Sequence, residues 1–179
     1  MLNKKGQIWV ETVIYTLIGL VLIGIVLALL TPKINEIKDK SIVDQTIDAM
    51  KVFDSKISEI VEGGAGNVRN VEFGMKRGSL YVDGVNDLVM YEMEDSRVIY
   101  SEPSVASNVG RISVLTEEGS IGHRVTLTIN YDFDLKVNGV DEEKKFTAAP
   151  VPYRFSVSHG GFSVGSETRE IINIVELGQ

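Results

Sequence analysis

The sequence has no cysteine, only two histidines, four prolines and a single tryptophan in 179 residues. Without cysteine there is no disulfide framework, no thiolate metal site and no thiol nucleophile. Two histidines, His123 and His159, leave little for imidazole chemistry, and zinc and cysteine enzymes are excluded. Both lie in turn-like contexts, Ile121-Gly122-His123 and Ser158-His159-Gly160-Gly161, and are expected at the surface. Neither has a Ser or Asp partner by sequence and no nucleophile elbow is present, so no enzyme activity and no cofactor are expected. None of the nine asparagines stands in an Asn-x-Ser/Thr setting, which removes N-glycosylation. Excess positive charge is also missing. The net charge is −7, and residues 63–179 hold 11 basic against 17 acidic side chains, which argues against nucleic-acid binding.

What is present is a run from Thr12 to Leu30 without one charged residue: fifteen apolar residues, two Thr and two Gly. As a helix it would be about 28 Å long, close to the ~30 Å thickness of a bilayer's hydrocarbon core. A secretory signal peptide has a shorter apolar core and a small-x-small exit. Here the exit reads Leu27-Ala28-Leu29-Leu30-Thr31-Pro32. A simple anchor fits the length but leaves Glu11 unexplained, because a carboxylate near the start of a spanning helix costs free energy and usually has a partner.

The stretch Lys4-Lys5-Gly6-Gln7-Ile8-Trp9-Val10-Glu11 resembles the class III signal peptide of archaeal type IV pilins, in which a basic-basic-Gly leader precedes QxSxE. Trp9 stands where that pattern prefers Ser, so the match rests on Lys4, Lys5, Gly6, Gln7 and Glu11. The resemblance implies that a prepilin peptidase cuts between Gly6 and Gln7 on the cytoplasmic face, leaving Glu11 as the fifth residue of the mature chain. It also implies a membrane-bound form before assembly and a helical homo-oligomer, open to other pilins, at the cell surface afterwards.

Physical chemistry adds a reason for Glu11. Cleavage would expose a cationic amino group at Gln7, and in lipid or a helical bundle a carboxylate is far better paired than isolated. Glu11 of one copy meeting the amino terminus of a neighbour would set an axial register. The competing reading puts Glu11 at the headgroup level, solvated, beside Trp9 as an interfacial anchor. The lysine count does not decide orientation: Lys4 and Lys5 precede the run, and Lys33, Lys38 and Lys40 follow it. An inside N-terminus follows from the family's cytoplasmic processing and the large acidic C-terminal part. Gly24 and Ala28, four apart, would let helices approach closely or are simply membrane-compatible small residues.

Beyond Pro32, which should kink the helix or restart it with Thr31 as cap, apolar residues recur at helical spacing: Ile34, Ile37, Ile42, Ala49, Phe53, Ile57 and Ile60. This amphipathic half is expected to bury its stripe against the C-terminal domain. Gly63-Gly64-Ala65-Gly66 reads as the helix stop, not a phosphate loop, since no Lys-Ser or Lys-Thr follows. From Asn67 onward, runs rich in Val, Ile, Tyr and Phe alternate with turn residues. They fall at Val71–Met75, Leu80–Val82, Leu88–Met93, Arg97–Tyr100, Ile112–Thr116, Val125–Val137, Phe146–Ala148, Tyr153–Val157, Phe162–Val164 and Ile171–Leu177.

The expected fold class is therefore α+β: a long N-terminal hydrophobic and amphipathic helix, then an antiparallel β-sheet or sandwich head. In domains, residues 1–6 are the leader, 7–62 the helix (filament core 8–31, amphipathic 32–62), 63–66 the Gly hinge and 67–179 the head. Val125–Val137 alternates perfectly and runs into Asn138-Gly139, the strongest short hairpin signal. A two-residue turn there would set Val137 against Val140, Leu135 against Glu142, Phe133 against Lys144 and Tyr131 against Phe146. Such a ribbon leaves Phe133 and Leu135 poorly matched, needing cover from another part of the head or from an adjacent subunit. Its other face pairs Lys136 with Asp141 and Asp132 with Lys145. Asp132, Asp134, Asp141, Glu142 and Glu143 could offer oxygen ligands to a cation, but the spacing follows no EF-hand loop and a solvated hairpin is the preferred reading.

Two functions remain. One is a structural pilin subunit, processed after Gly6, assembled through its N-terminal helix and serving adhesion. The alternative is a single-pass, membrane-anchored extracytoplasmic binding module, or a minor pilin or adhesin outside the bulk filament.

Overall fold

The computed structural model describes residues 4–164 and 168–178, with side chains for 9–163 and 168–178. Residues 1–3 of the expected leader lie outside the described residues. The chain is α+β: one long helix, α1 (Lys4–Gly63), then ten strands. These are β1 (Val68–Phe73), β2 (Ser79–Asp83), β3 (Leu88–Ser96), β4 (Ser107–Val109), β5 (Ile112–Gly119), β6 (Gly122–Asn130), β7 (Asp134–Val137), β8 (Glu143–Thr147), β9 (Tyr153–Val164) and β10 (Thr168–Gly178). The chain divides into an N-terminal unit ending at Lys38 and a head unit from Asp39 onward.

In the N-terminal unit, α1 passes through Pro32 without ending. Proline removes one backbone donor, and the Thr31 hydroxyl donates back to the Leu27 carbonyl at 2.7 Å instead of capping a new helix. The expected restart at Thr31 is thus corrected. Ile34 and Ile37, expected in the buried stripe, are exposed.

In the head unit, the stripe of α1 that enters the core is Val43, Ile47, Met50, Phe53, Ile57 and Ile60. Their spacing of three and four keeps them on one helical face. Phe53 meets Phe73 and Phe155 edge-on, with centroids at 6.1 and 5.8 Å, a favoured geometry for aromatic rings. Ion pairs and hydrogen bonds flank the stripe: Asp39 accepts from Arg77 Nη1 and the Arg97 amide, Asp44 from the Tyr100 hydroxyl, and Asp54 from Arg111. Gly64 and Gly66, both at positive φ, end the helix, and the Asn67 side-chain amide donates to the Gly63 and Gly64 carbonyls.

The strands form a four-stranded sheet ordered β1-β9-β10-β7 and a six-stranded sheet ordered β4-β5-β6-β3-β2-β8. All pairs are antiparallel except β7 with β10. One continuous apolar core draws on α1 and both sheets.

Three strand expectations change. Arg97–Tyr100 is not a strand; it follows a bulge in β3, and its amides are met by side chains such as Asp39 and Ser96. Tyr153–Val157 and Phe162–Val164 are one strand, β9, carried through Gly160-Gly161. The long Val125–Val137 strand is two strands in different sheets: β6 stays beside β3 and β5, while β7 crosses to lie parallel to β10.

The Asn138-Gly139 turn does form, with positive φ at both residues and reciprocal bonds between Val137 and Val140. The ribbon beyond it does not. Leu135 facing Glu142 and Phe133 facing Lys144 would leave apolar side chains on charged partners, whereas crossing sheets buries Leu135 and Val137. Asp87, at φ 54°, fixes the crossing: its carbonyl accepts the Tyr131 amide and its carboxylate the Leu135 amide.

The uncovered N-terminal helix as candidate functional site

The feature that asks for a function is the apolar half of α1. From Trp9 onward it is long and apolar enough to cross a membrane, and no part of its most apolar window is buried. Trp9 is 70% exposed, Leu20 62% and Leu29 71%. A core helix would hide such residues; at roughly 25 cal/mol per Å² of apolar surface, water contact along this length is strongly unfavourable. The polar groups within it are partly closed off: the Thr16 hydroxyl donates to the Thr12 carbonyl at 2.8 Å, as Thr31 does to Leu27. Internal satisfaction of this kind is what a helix in hydrocarbon requires.

Lys4, Lys5, Gly6 and Gln7 belong to the first two turns of α1, and their side chains lie outside the described residues. Glu11 is exposed and makes no ion pair among the described residues. Gly24 and Ala28 lie on one exposed side of the helix, and a Cβ added at Gly24 would meet nothing within 4 Å. Gly19 is equally open. Among the described residues no contact therefore requires glycine at either position.

In the head, Leu135 is fully buried, so its cover comes from the head itself. Phe133 is half-buried and stacks on Tyr131 at 4.8 Å. Lys136 and Asp141 do pair, at 2.6 Å, and Asp134 pairs with Arg169. The same guanidinium, from β10 more than thirty residues beyond Asp134, also pairs with Asp87. Among the described residues no cluster of His, Asp or Glu is arranged to hold a metal.

His159 corrects the surface expectation. Its side chain is buried, its Nδ1 accepts the Gly161 amide at 3.0 Å, and its ring meets Phe162 edge-on. The sequence missed it because Ser-His-Gly-Gly reads as a turn, whereas the glycines here lie within a continuous strand. His123 is half-buried in β6.

Burial pushes the Tyr91 hydroxyl up to about 12, beneath its bond to the Arg77 carbonyl. Tyr100 is likewise raised to about 12 by burial and then by the Asp44 carboxylate that accepts from it. Burial raises Asp83 too, but bonds from Asn86 and the Val85 amide outweigh it and leave the carboxyl below its usual range. An open pocket of about 470 Å³ lies on the head, with Ser58, Glu62, Arg111, Phe133 and Arg169 among its walls.

No protein-family model, no curated protein and no solved structure matches the chain.

Proposed function

We propose that the chain is a pilin-like structural subunit of a surface filament, with a leader removed after Gly6 by a prepilin peptidase and a helix that exchanges lipid for other copies of itself. One observation carries this reading: an apolar helix whose most apolar window is wholly exposed among the described residues, followed by a β head with its own core. Lipid covers such a surface before assembly and neighbouring helices cover it afterwards. The Lys4-Lys5-Gly6-Gln7 sequence and Glu11 supply the processing site and the register, through a carboxylate paired with the next copy's amino terminus. The small residues Gly24 and Ala28 then serve close helix approach.

The test is N-terminal mass measurement of native material together with electron microscopy. The expected result is Gln7 as first residue and filaments. A retained leader in functional protein, with only membrane-bound monomers, would refute it.

A membrane-anchored binding module is the second reading, and the open pocket near Phe133, with two guanidiniums and carboxylates around an aromatic ring, favours it. In that case the anchor stays in lipid and purified heads bind a soluble ligand without assembling.

A further inference from the structure

We propose that Asn138-Gly139 is a latent self-modification site, held unmodified by the side chain of Asn173. It is the single Asn-Gly pair in the sequence. The chemistry is intramolecular: the glycine nitrogen attacks the Asn138 side-chain carbonyl carbon, and a new N–C bond forms. The bond to Nδ2 breaks, and ammonia leaves with the proton from the glycine nitrogen. Water then opens the cyclic imide at either carbonyl, giving aspartate or isoaspartate. Glycine favours the attack because it carries no Cβ to obstruct the ring.

The site is open to water. Asn138 and Gly139 are exposed, and a Cβ at Gly139 would meet nothing within 4 Å, so burial is not what protects it. The restraint is the attacking atom's own hydrogen bond. Gly139 N donates to Asn173 Oδ1 at 2.7 Å, which opposes loss of the proton that attack requires. The turn is fastened on both sides, by Val137 and Val140 bonding each other and by the Asn138 amide donating to the Ile174 carbonyl at 3.0 Å.

Asn173 and Ile174 both lie on β10, so both restraints are released together when the β7–β10 edge opens. An isoaspartate would add one atom to the backbone beside β7, the strand that carries Leu135 and Val137 into the core. Modification would thus record past opening of that edge and make it easier to open again. The inference is independent of the proposed filament role.

The full chain in detergent is incubated at mildly alkaline pH, and the Asn138 peptide is followed by mass for conversion of amide to acid and by isoaspartate labelling. Asn173→Ala should modify about five- to tenfold faster than the native chain, the factor that one net hydrogen bond is worth. Asn173→Asp keeps an oxygen acceptor and should stay slow. The native chain should also modify at least about tenfold more slowly than the same chain in urea, a comparison that holds even if a variant folds poorly. Equal rates for native and Asn173→Ala chains, with unchanged melting, would overturn the role of Asn173. Equal rates for folded and urea-unfolded native chain would overturn the protected site altogether.

Discussion

The Leu135 amide donates to Asp87 Oδ1 at 2.8 Å, tying the strand that changes sheets to the turn between β2 and β3. Asp87 holds a left-handed backbone and also pairs with Arg169 at 3.0 Å. Asp87→Ala removes the acceptor and puts a Cβ residue without side-chain compensation at positive φ, so it should cost about 3 kcal/mol. Asp87→Asn tolerates the backbone and retains an acceptor, and should cost about 1 kcal/mol. Denaturant midpoints of the two variants check the difference.

Leu135 and Phe133 should part company. Leu135→Ser empties a fully buried site and buries a hydroxyl, with an expected loss of about 3–5 kcal/mol by thermal or urea unfolding. Phe133→Ser, at a half-buried ring, should cost about 1–2 kcal/mol. Similar losses at both sites would contradict the burial described.

Gly24→Ile adds bulk where a Cβ meets none of the described residues within 4 Å, so unfolding of the head should shift by no more than about 0.5 kcal/mol. If Gly24 serves helix packing, filament yield seen by microscopy should fall sharply, while an unchanged yield would make it an ordinary membrane residue.

Glu11→Ala should leave expression and membrane insertion unaltered and reduce assembly, counted as filament length and number. Full assembly of this variant would remove the register role.

Alkaline pH should weaken the head. The folded state holds the Tyr91 and Tyr100 protons more tightly than the unfolded chain does, since both are raised to about 12 from 10.0. Their stabilisation is complete below the unfolded value and is lost as pH rises toward the folded one. Tyr100→Phe should flatten this fall and, at neutral pH, cost about 1–2 kcal/mol through the lost bond to Asp44. Urea midpoints across this range, with tyrosinate absorbance, report both effects.

The helix and its two characters were legible in the sequence because they depend on local pattern. An uncharged nineteen-residue run and a three-and-four apolar spacing specify a greasy half and an amphipathic half whatever lies around them. The Gly63–Gly66 stop and the Asn138-Gly139 turn were equally legible, since each needs a positive φ that few residues accept. The open helix that motivates the functional reading was thus visible from composition.

What only the tertiary structure decided is where strands end and which sheet they join. Strict alternation through Val125–Val137 marks a two-faced strand, but it carries no signal that one face will exchange its partner at Tyr131. That choice involves Asp87 and Arg169, far away in sequence, which bond the Leu135 amide and each other where the chain crosses, and it buries Leu135 and Val137. His159, in a segment that reads locally as a turn, is buried within β9. Alternation and turn chemistry act between neighbours, whereas burial and charge neutralisation are settled by whichever residues the whole chain brings together.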